Sequence, residues 1–266
     1  MTPSPERALS FCVVIPMYNE ARNAEACVRA VTDVLSTFPE RTGLIVVDDG
    51  SRDATPAILR ELSKSHPSLD VVTHPGNLGY GGGRRSGIRR AAERGYEYAL
   101  FMDSDLTNHP KYIASFVEKM RERVDVINAS RYVPGGRVEG VPLYRIVISV
   151  VGNWLARTLM GLPMTDCTNG FRAARVELLD RLPLTESGFC IIIEELYYLR
   201  GLARTYHEIP NTLTARPDGR GVSSFRYRPK IFWDYLKYVL KAAVTKPDPT
   251  LARPRRRRAA APLEAQ

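Results

Sequence analysis

Through the first half of the chain, short apolar runs alternate with helical periodicities. Phe11–Pro16 (FCVVIP) and Leu44–Asp48 (LIVVD) are continuous apolar stretches ending on turn residues, the pattern of strands buried on both faces. Between them, Ala21–Phe38 places Ala26, Ala30, Val34 and Phe38 at helical spacing, with Leu35 beside them. Thr55-Pro56 reads as an N-cap followed by proline at the first helical position, opening a helix to Lys64. Leu69–Thr73 is the next predicted strand, then a helix over Gly82–Arg94, a strand over Tyr96–Met102, a helix over Pro110–Arg123 and a strand over Val124–Ala129. Such alternation predicts an α/β fold: a mostly parallel sheet with helices on both faces.

The second half is less regular. Pro142–Met160 predicts a helix with a broad apolar face formed by Ile146, Val147, Val150, Val151, Trp154, Leu155 and Leu159. Phe171–Leu182 and Cys190–Leu202 read as further helices, and Tyr206–Pro210 as a strand. A loop rich in Gly, Arg and Ser spans Arg216–Ser224, and Ile231–Val244 is an aromatic, amphipathic helix. From Pro247 onward, proline and arginine without periodicity predict a disordered tail. The expected organisation is a main domain over 1–228, an amphipathic helix over 229–246 and a basic tail over 247–266.

Composition narrows the function classes. Apolar residues make up 44% of the chain, enough for a core, so wholesale disorder is excluded. The apolar runs Ile146–Val151 and Phe189–Ile193 fall far short of the ~18 residues a membrane span needs. The N-terminus lacks the pattern of a signal peptide, so a cytoplasmic location is expected. Cys12, Cys27, Cys167 and Cys190 form no C-x-x-C pair and the histidines no H-E-x-x-H, which argues against zinc sites and for buried free thiols. The net charge of +9 attracts polyanions, and Arg253 with Arg255–Arg258 concentrates part of it near the C-terminus. No nucleic-acid-binding motif accompanies that charge, so nucleic acid is not the expected partner.

The chemistry-bearing residues sit at strand ends. Asp103-Ser104-Asp105 follows an apolar strand, and carboxylates at i and i+2 project to one side of an extended chain. Strand ends are where open α/β sheets bind ligands, and one or two carboxylates with phosphate oxygens are a usual magnesium arrangement. Thr107 and Asn108 stand nearer Pro110 and are expected to cap the following helix. Asp48-Asp49-Gly50-Ser51 ends another strand and is by itself an ordinary turn. The glycine run Gly76–Gly83 fits neither phosphate-loop template: Arg84 stands at the third glycine of G-x-G-x-x-G, and no G-K-[ST] follows.

Taken together, Val13–Glu20 (VVIPMYNE), Val46–Ser51 (VVDDGS), Asn77–Gly83 (NLGYGGG) and Asp103-Ser104-Asp105 resemble, in order and spacing, the family 2 glycosyltransferases of the GT-A fold. Ala129–Tyr132 (ASRY), Asn169–Arg172 (NGFR) and the Arg216–Ser224 loop are most similar to the polyprenol-phosphate mannose synthase branch. The resemblance runs from Phe11 to Tyr238. It implies a metal-dependent, inverting transfer of a hexose, mannose favoured, from a GDP- or UDP-hexose to a polyprenyl phosphate at the inner face of the cell membrane. A soluble or hydroxyl acceptor is the alternative, as is a UDP-glucose or UDP-N-acetylhexosamine donor.

By the same resemblance, Pro16, Tyr18, Glu20 and Asp49 line the nucleotide pocket with Asp103, Ser104 and Asp105. Asp103 and Asp105 would hold Mg²⁺ or Mn²⁺, with Asn153 where the branch carries a third metal-side ligand. Arg131, Arg145 and Ser149 match the acceptor-phosphate positions, and Arg145, Ser149 and Asn153 share one helix face by their spacing of four. Arg216 matches the arginine facing the donor phosphates; Ser224 replaces the branch's lysine, with Arg220 and Arg226 as substitutes for its charge. Glu194-Glu195 stand where relatives with hydroxyl acceptors carry a catalytic acid, but with a phosphate acceptor they read as a helix-surface pair or a sugar contact.

Overall fold

The computed structural model describes residues 8–214, 229–247 and 251. A seven-stranded sheet is built from β1 (Ser10–Met17), β2 (Arg41–Asp48), β3 (Leu69–Thr73), β4 (Tyr98–Phe101), β5 (Val126–Ser130), β7 (Arg172–Arg175) and β8 (Tyr206–Pro210). The spatial order is β3-β2-β1-β4-β7-β5-β8, and β7 alone runs against the rest. Two short strands, β6 (Arg137–Val138) and β9 (Thr212–Leu213), pair separately.

Alternation along β1 builds two of the cores. Phe11, Val13 and Ile15 pack with Val28, Val31 and Leu35 of α1 (Ala24–Leu35), Leu59 of α2 (Thr55–Ser65) and Phe116 of α4 (Ile113–Arg121). Cys12 and Val14 face the other way, onto Ile88 and Ala91 of α3 (Tyr80–Glu93) and Leu178 of α6 (Val176–Leu179). Each fully buried aliphatic side chain contributes about 1.5–3 kcal/mol, so the strand is fixed from both sides. A third core joins α5 (Leu143–Met160), α7 (Ile191–Leu199) and α8 (Pro229–Val244) through Ala156, Met160, Ile193, Leu196, Tyr238 and Val239. All four cysteines are free and buried, as expected.

Two sequence expectations change. The predicted helix over Phe171–Leu182 is instead β7 followed by the single turn α6. Ala173 pairs with both Leu100 and Ile127, and its small side chain fits a strand covered on both faces. Thr55 is the first residue of α2 rather than its cap; Asp53 accepts the Thr55 amide at 2.9 Å, and the Thr55 hydroxyl accepts the Glu20 amide at 2.9 Å.

Because β1, β2 and β4 are parallel, their C-terminal ends lie along one edge, with Met17 beside Asp48 and Val14 beside Phe101. The strand order reverses direction between β1 and β4, which is where such sheets open a ligand crevice.

Candidate active site

Two interlocked turns form one rim of that crevice. Asn19, in the left-handed region at φ 54°, donates its amide to Ser51 Oγ at 2.9 Å and accepts the Arg52 amide at 2.8 Å. The turn after β1 is thereby tied to the turn after β2, and Tyr18 and Asp49 are brought to one wall. Buried Asp49 accepts the Leu78 amide at 2.8 Å and pairs with His74 Nδ1 at 2.7 Å, so it also orders the approach to α3. The glycines there serve close packing. A Cβ on Gly81 would fall 2.0 Å from the Glu186 carbonyl oxygen, while its amide donates to Ser187 at 2.8 Å.

Asp103, Ser104 and Asp105 form the floor, directly after β4. Tyr80 donates its hydroxyl to Asp103 Oδ1 at 3.2 Å. Asp105 Oδ1 accepts the amide of Thr107 at 3.2 Å and its hydroxyl at 2.7 Å. Thr107 and Asn108 do not cap the next helix. His109 does so, accepting the Lys111 amide at 3.0 Å ahead of a 3₁₀ turn over Pro110–Tyr112, and Asn108 accepts from Asn211 instead. Among the described residues no third acidic, histidine or cysteine side chain joins the two carboxylates as a cation cage. An all-oxygen pair fits a hard divalent ion whose other ligands come from phosphate and water.

The crevice widens into a cleft of about 870 Å³. Its polar end carries Pro16, Tyr18, Glu20, Asp49 and Asp103–Asp105; its far wall is apolar, with Val147, Val151 and Leu155 from α5 and Phe232, Leu236 and Val239 from α8. Arg131, Arg145 and Ser149 line the same cleft. Arg131 is bidentate on buried Asp166, through Nε at 2.7 Å and Nη2 at 2.8 Å. Ser149 accepts the Tyr132 hydroxyl at 2.8 Å.

Asn153 departs from its expected place as a metal-side ligand. It does share a face with Arg145 and Ser149, but it is buried, and its amide oxygen accepts the backbone N–H groups of Cys167 at 2.7 Å and Thr168 at 3.1 Å. Both lone pairs are used, so Asn153 shapes the loop after α5. Glu194 and Glu195 are likewise not a surface pair, since both are fully buried. Glu194 accepts the Thr185 and Glu186 amides at 2.9 and 3.0 Å and the Tyr238 hydroxyl at 2.9 Å; Glu195 is bidentate on Arg84 at 2.8 and 2.6 Å. Arg216, Arg220, Ser224 and Arg226, with Arg253 and Arg255–Arg258, lie outside the described residues.

Residues 12–182 match the family described as glycosyl transferase family 2, a span covering both aspartate turns and the glycine run. The chain belongs to glycosyl transferase family 2. Over 211 residues it is 32% identical to a polyprenol monophosphomannose synthase of Mycolicibacterium smegmatis, covering 78% of each protein. Over 214 residues it is 30% identical to an undecaprenyl-phosphate mannosyltransferase of Micrococcus luteus, covering 79% of this chain and 86% of that one. Among solved structures, glucosyl-3-phosphoglycerate synthase of Mycobacterium tuberculosis superposes with a TM-score of 0.61 at 22% identity, over 91% of this chain and 82% of the other. That similarity establishes the shared GT-A fold. The neighbour has been crystallised with Mn²⁺ and with Mg²⁺ beside UDP. As a member of the family, the chain is a glycosyltransferase.

Sequence reasoning overlooked Tyr80, His74, Asp166 and Glu208, whose side chains hold the site residues in place. Only Tyr80 left a local signal: it stands four residues before Arg84, on the same helix face.

Proposed function

We propose that this glycosyltransferase moves a hexose, with mannose favoured, from a nucleotide sugar to a polyprenyl phosphate, with inversion and with Mg²⁺ or Mn²⁺ on the donor diphosphate. The observation that carries this reading is the two-part cleft: an acidic strand-end floor continues without a break into an apolar wall formed by α5 and α8. A sugar diphosphate suits the first part and an isoprenoid tail the second. The mannosyl-lipid names of the two relatives support the same substrates.

The acceptor phosphate is an anionic nucleophile at neutral pH, so the reaction needs no general base. Arg131 and Arg145, both of which line the cleft, would hold that phosphate and aim an oxygen at the anomeric carbon. Asp103 and Asp105 would hold the divalent ion, and Arg216 would face the donor phosphates. When bound, the ion would supply charge neutralisation for the departing nucleoside diphosphate. Pro16, Tyr18, Glu20 and Asp49 would enclose the nucleoside.

Exposed Leu143, Tyr144, Val147, Val150, Val151 and Trp154 on α5 and Phe232, Trp233, Leu240 and Val244 on α8 support a peripheral location for the proposed enzyme, at the surface of the membrane that holds its acceptor. Among the described residues, no helix is long and apolar enough to cross a membrane. The test is transfer of radiolabelled sugar from GDP-mannose, and in parallel from UDP-glucose, to polyprenyl phosphate. Label extractable into organic solvent is the expected result; label that appears only with soluble acceptors overturns the reading.

A further inference from the structure

Tyr80 and Arg84 sit one turn apart on α3, and neither has a part in the reaction described above. Arg84 is fully buried, with its guanidinium 3.8 Å from the centre of the Phe101 ring. Two of its nitrogens are held by Glu195 of α7, and Arg172 lies 3.6 Å from the same carboxylate. Its Nη1 donates to the Gly170 carbonyl at 3.2 Å and to the Tyr80 hydroxyl oxygen at 3.4 Å. A guanidinium has donors and no acceptor, so the direction of the next bond follows. The Tyr80 oxygen accepts from Arg84, and its single proton is directed at Asp103 Oδ1, 3.2 Å away.

The tyrosine has little freedom to do otherwise. Its ring stacks on Phe189 with centroids 4.6 Å apart, and a Cβ on Gly170 would fall 2.9 Å from its hydroxyl. Burial alone would lower the Arg84 guanidinium, but Glu195 outweighs that and holds it above its ordinary range. Donation thus runs from Arg84 through Tyr80 to Asp103 at the cleft floor, while Glu195 in the core accepts from Arg84 and anchors it.

We propose that Tyr80 and Arg84 are positioning residues that fix the orientation of the Asp103 carboxylate and thereby set the affinity of the Asp103–Asp105 pair for a divalent cation. The inference rests on the reading of those aspartates as cation ligands. A carboxylate free to rotate must be ordered when it takes a cation; one oxygen already held by a phenol proton leaves less to order. Outer partners of this kind tune metal affinity by about 10–100-fold.

Tyr80→Phe tests this, because it keeps the ring on Phe189 and removes only the hydroxyl. Mn²⁺ binding to the full chain, with GDP in one series and UDP in another, is read from loss of the free-ion electron paramagnetic resonance signal. The expected result is Mn²⁺ affinity weakened about 10-fold, with the melting temperature of the cation-free protein and the KM for acceptor unchanged. Arg84→Lys keeps the buried charge but loses the fork, and should weaken Mn²⁺ binding in the same direction by a smaller factor. Asp103→Asn separates the two claims. If it loses Mn²⁺ while Tyr80→Phe binds as tightly as wild type, the relay is overturned and the cation site stands. If Asp103→Asn and Asp105→Asn also bind as wild type, the cation reading falls and the relay with it.

Discussion

The guanidinium of Arg131 lies along the carboxylate of Asp166, with Nε 2.7 Å from one oxygen and Nη2 2.8 Å from the other. Asp166 is itself held: Glu208 accepts its backbone amide at 2.9 Å and the Thr165 amide at 2.7 Å. An arginine expected to clamp a phosphate is therefore clamped first, its fork already matched to a carboxylate. Arg145 stands differently, on the cleft side of α5, with Nε donating to the exposed Tyr144 hydroxyl at 3.2 Å.

This difference separates the two arginines experimentally. Arg131→Ala would leave Asp166 as a buried charge without its guanidinium, so its loss of activity would be mixed with loss of stability. Arg145→Ala is the clean probe. On the proposed reading it raises the KM for polyprenyl phosphate about 10-fold or more, as expected for a lost charge-assisted bond of roughly 1.5–3 kcal/mol. The KM for nucleotide sugar stays put. Arg145→Lys should lie between, because an ammonium keeps the charge without the planar fork. Equal changes in both KM values would refute an acceptor role.

Asp103 and Asp105 carry a second prediction. Each should lose at least ~100-fold in turnover as the asparagine variant, the scale of removing an electrostatic stabiliser of the leaving group, and EDTA should abolish wild-type activity. Asp105 has a structural duty as well, since it accepts both the amide and the hydroxyl of Thr107. Asp105→Ala should therefore also lower stability by roughly 1 kcal/mol, whereas Asp105→Asn retains an acceptor for that turn. Full activity in both asparagine variants, or indifference to EDTA, would remove the metal from the mechanism.

Both carboxylates were legible in the sequence because their signal is local: an apolar strand, then D-x-D, then a turn. The first strands and helices were legible for the same reason, with Leu69–Thr73 and Tyr206–Pro210 found to the residue. What stayed hidden was set by distant partners. The Arg-Ala-Ala-Arg of β7 has poor strand propensity and becomes a strand only because β4 and β5 offer it backbone partners on either side. Asn153 was placed on the right helix face, but the loop at Cys167 and Thr168 takes its oxygen. Glu195 looked like a surface acid because Arg84, its partner, is 111 residues away and sits in a glycine run that reads as a ligand loop.

That pair yields a prediction about stability. Glu195→Ala strands two arginines, Arg84 and Arg172, in a site without solvent, and breaking a buried pair in this way costs about 3–5 kcal/mol. Burial pulls Arg172 below its ordinary range even with Glu195 beside it, although Asn128 Oδ1 and the carbonyls of Ile192, Cys167 and Asn169 also accept from its guanidinium. Replacing both members, Arg84→Met with Glu195→Met, removes one of the two stranded charges and leaves only Arg172 without the carboxylate, so it should cost less than Glu195→Ala alone. Urea unfolding of the single and double variants measures the coupling. Additive losses would show that the pair does not act as a unit.

Membrane binding is the prediction with the widest reach, and the two tryptophans report on it. Trp154 on α5 and Trp233 on α8 are 60% and 63% exposed, each among other exposed apolar side chains on the two helices that form the apolar wall of the cleft. On the proposed reading, a helix face so placed would put the cleft mouth where a polyprenyl phosphate head group emerges from lipid. Vesicles containing anionic lipid should therefore shift the tryptophan emission to the blue and carry the protein into the pellet. The force has two parts that salt distinguishes. Burial of apolar side chains is little affected by salt, whereas Arg253 and Arg255–Arg258 gain about 1 kcal/mol each near an anionic surface, at most ~5 kcal/mol together, and screening reduces that. Truncation after Thr245 isolates the first part. It keeps the Thr245 carbonyl that accepts Arg200 Nη2 at 2.7 Å, so the end of α8 stays anchored on α7. The truncated protein should keep its activity on detergent-solubilised acceptor, bind vesicles more weakly at low salt, and lose most of its salt dependence. If neither emission nor sedimentation responds to anionic vesicles at low salt, the apolar faces serve another purpose and a soluble acceptor becomes the better reading.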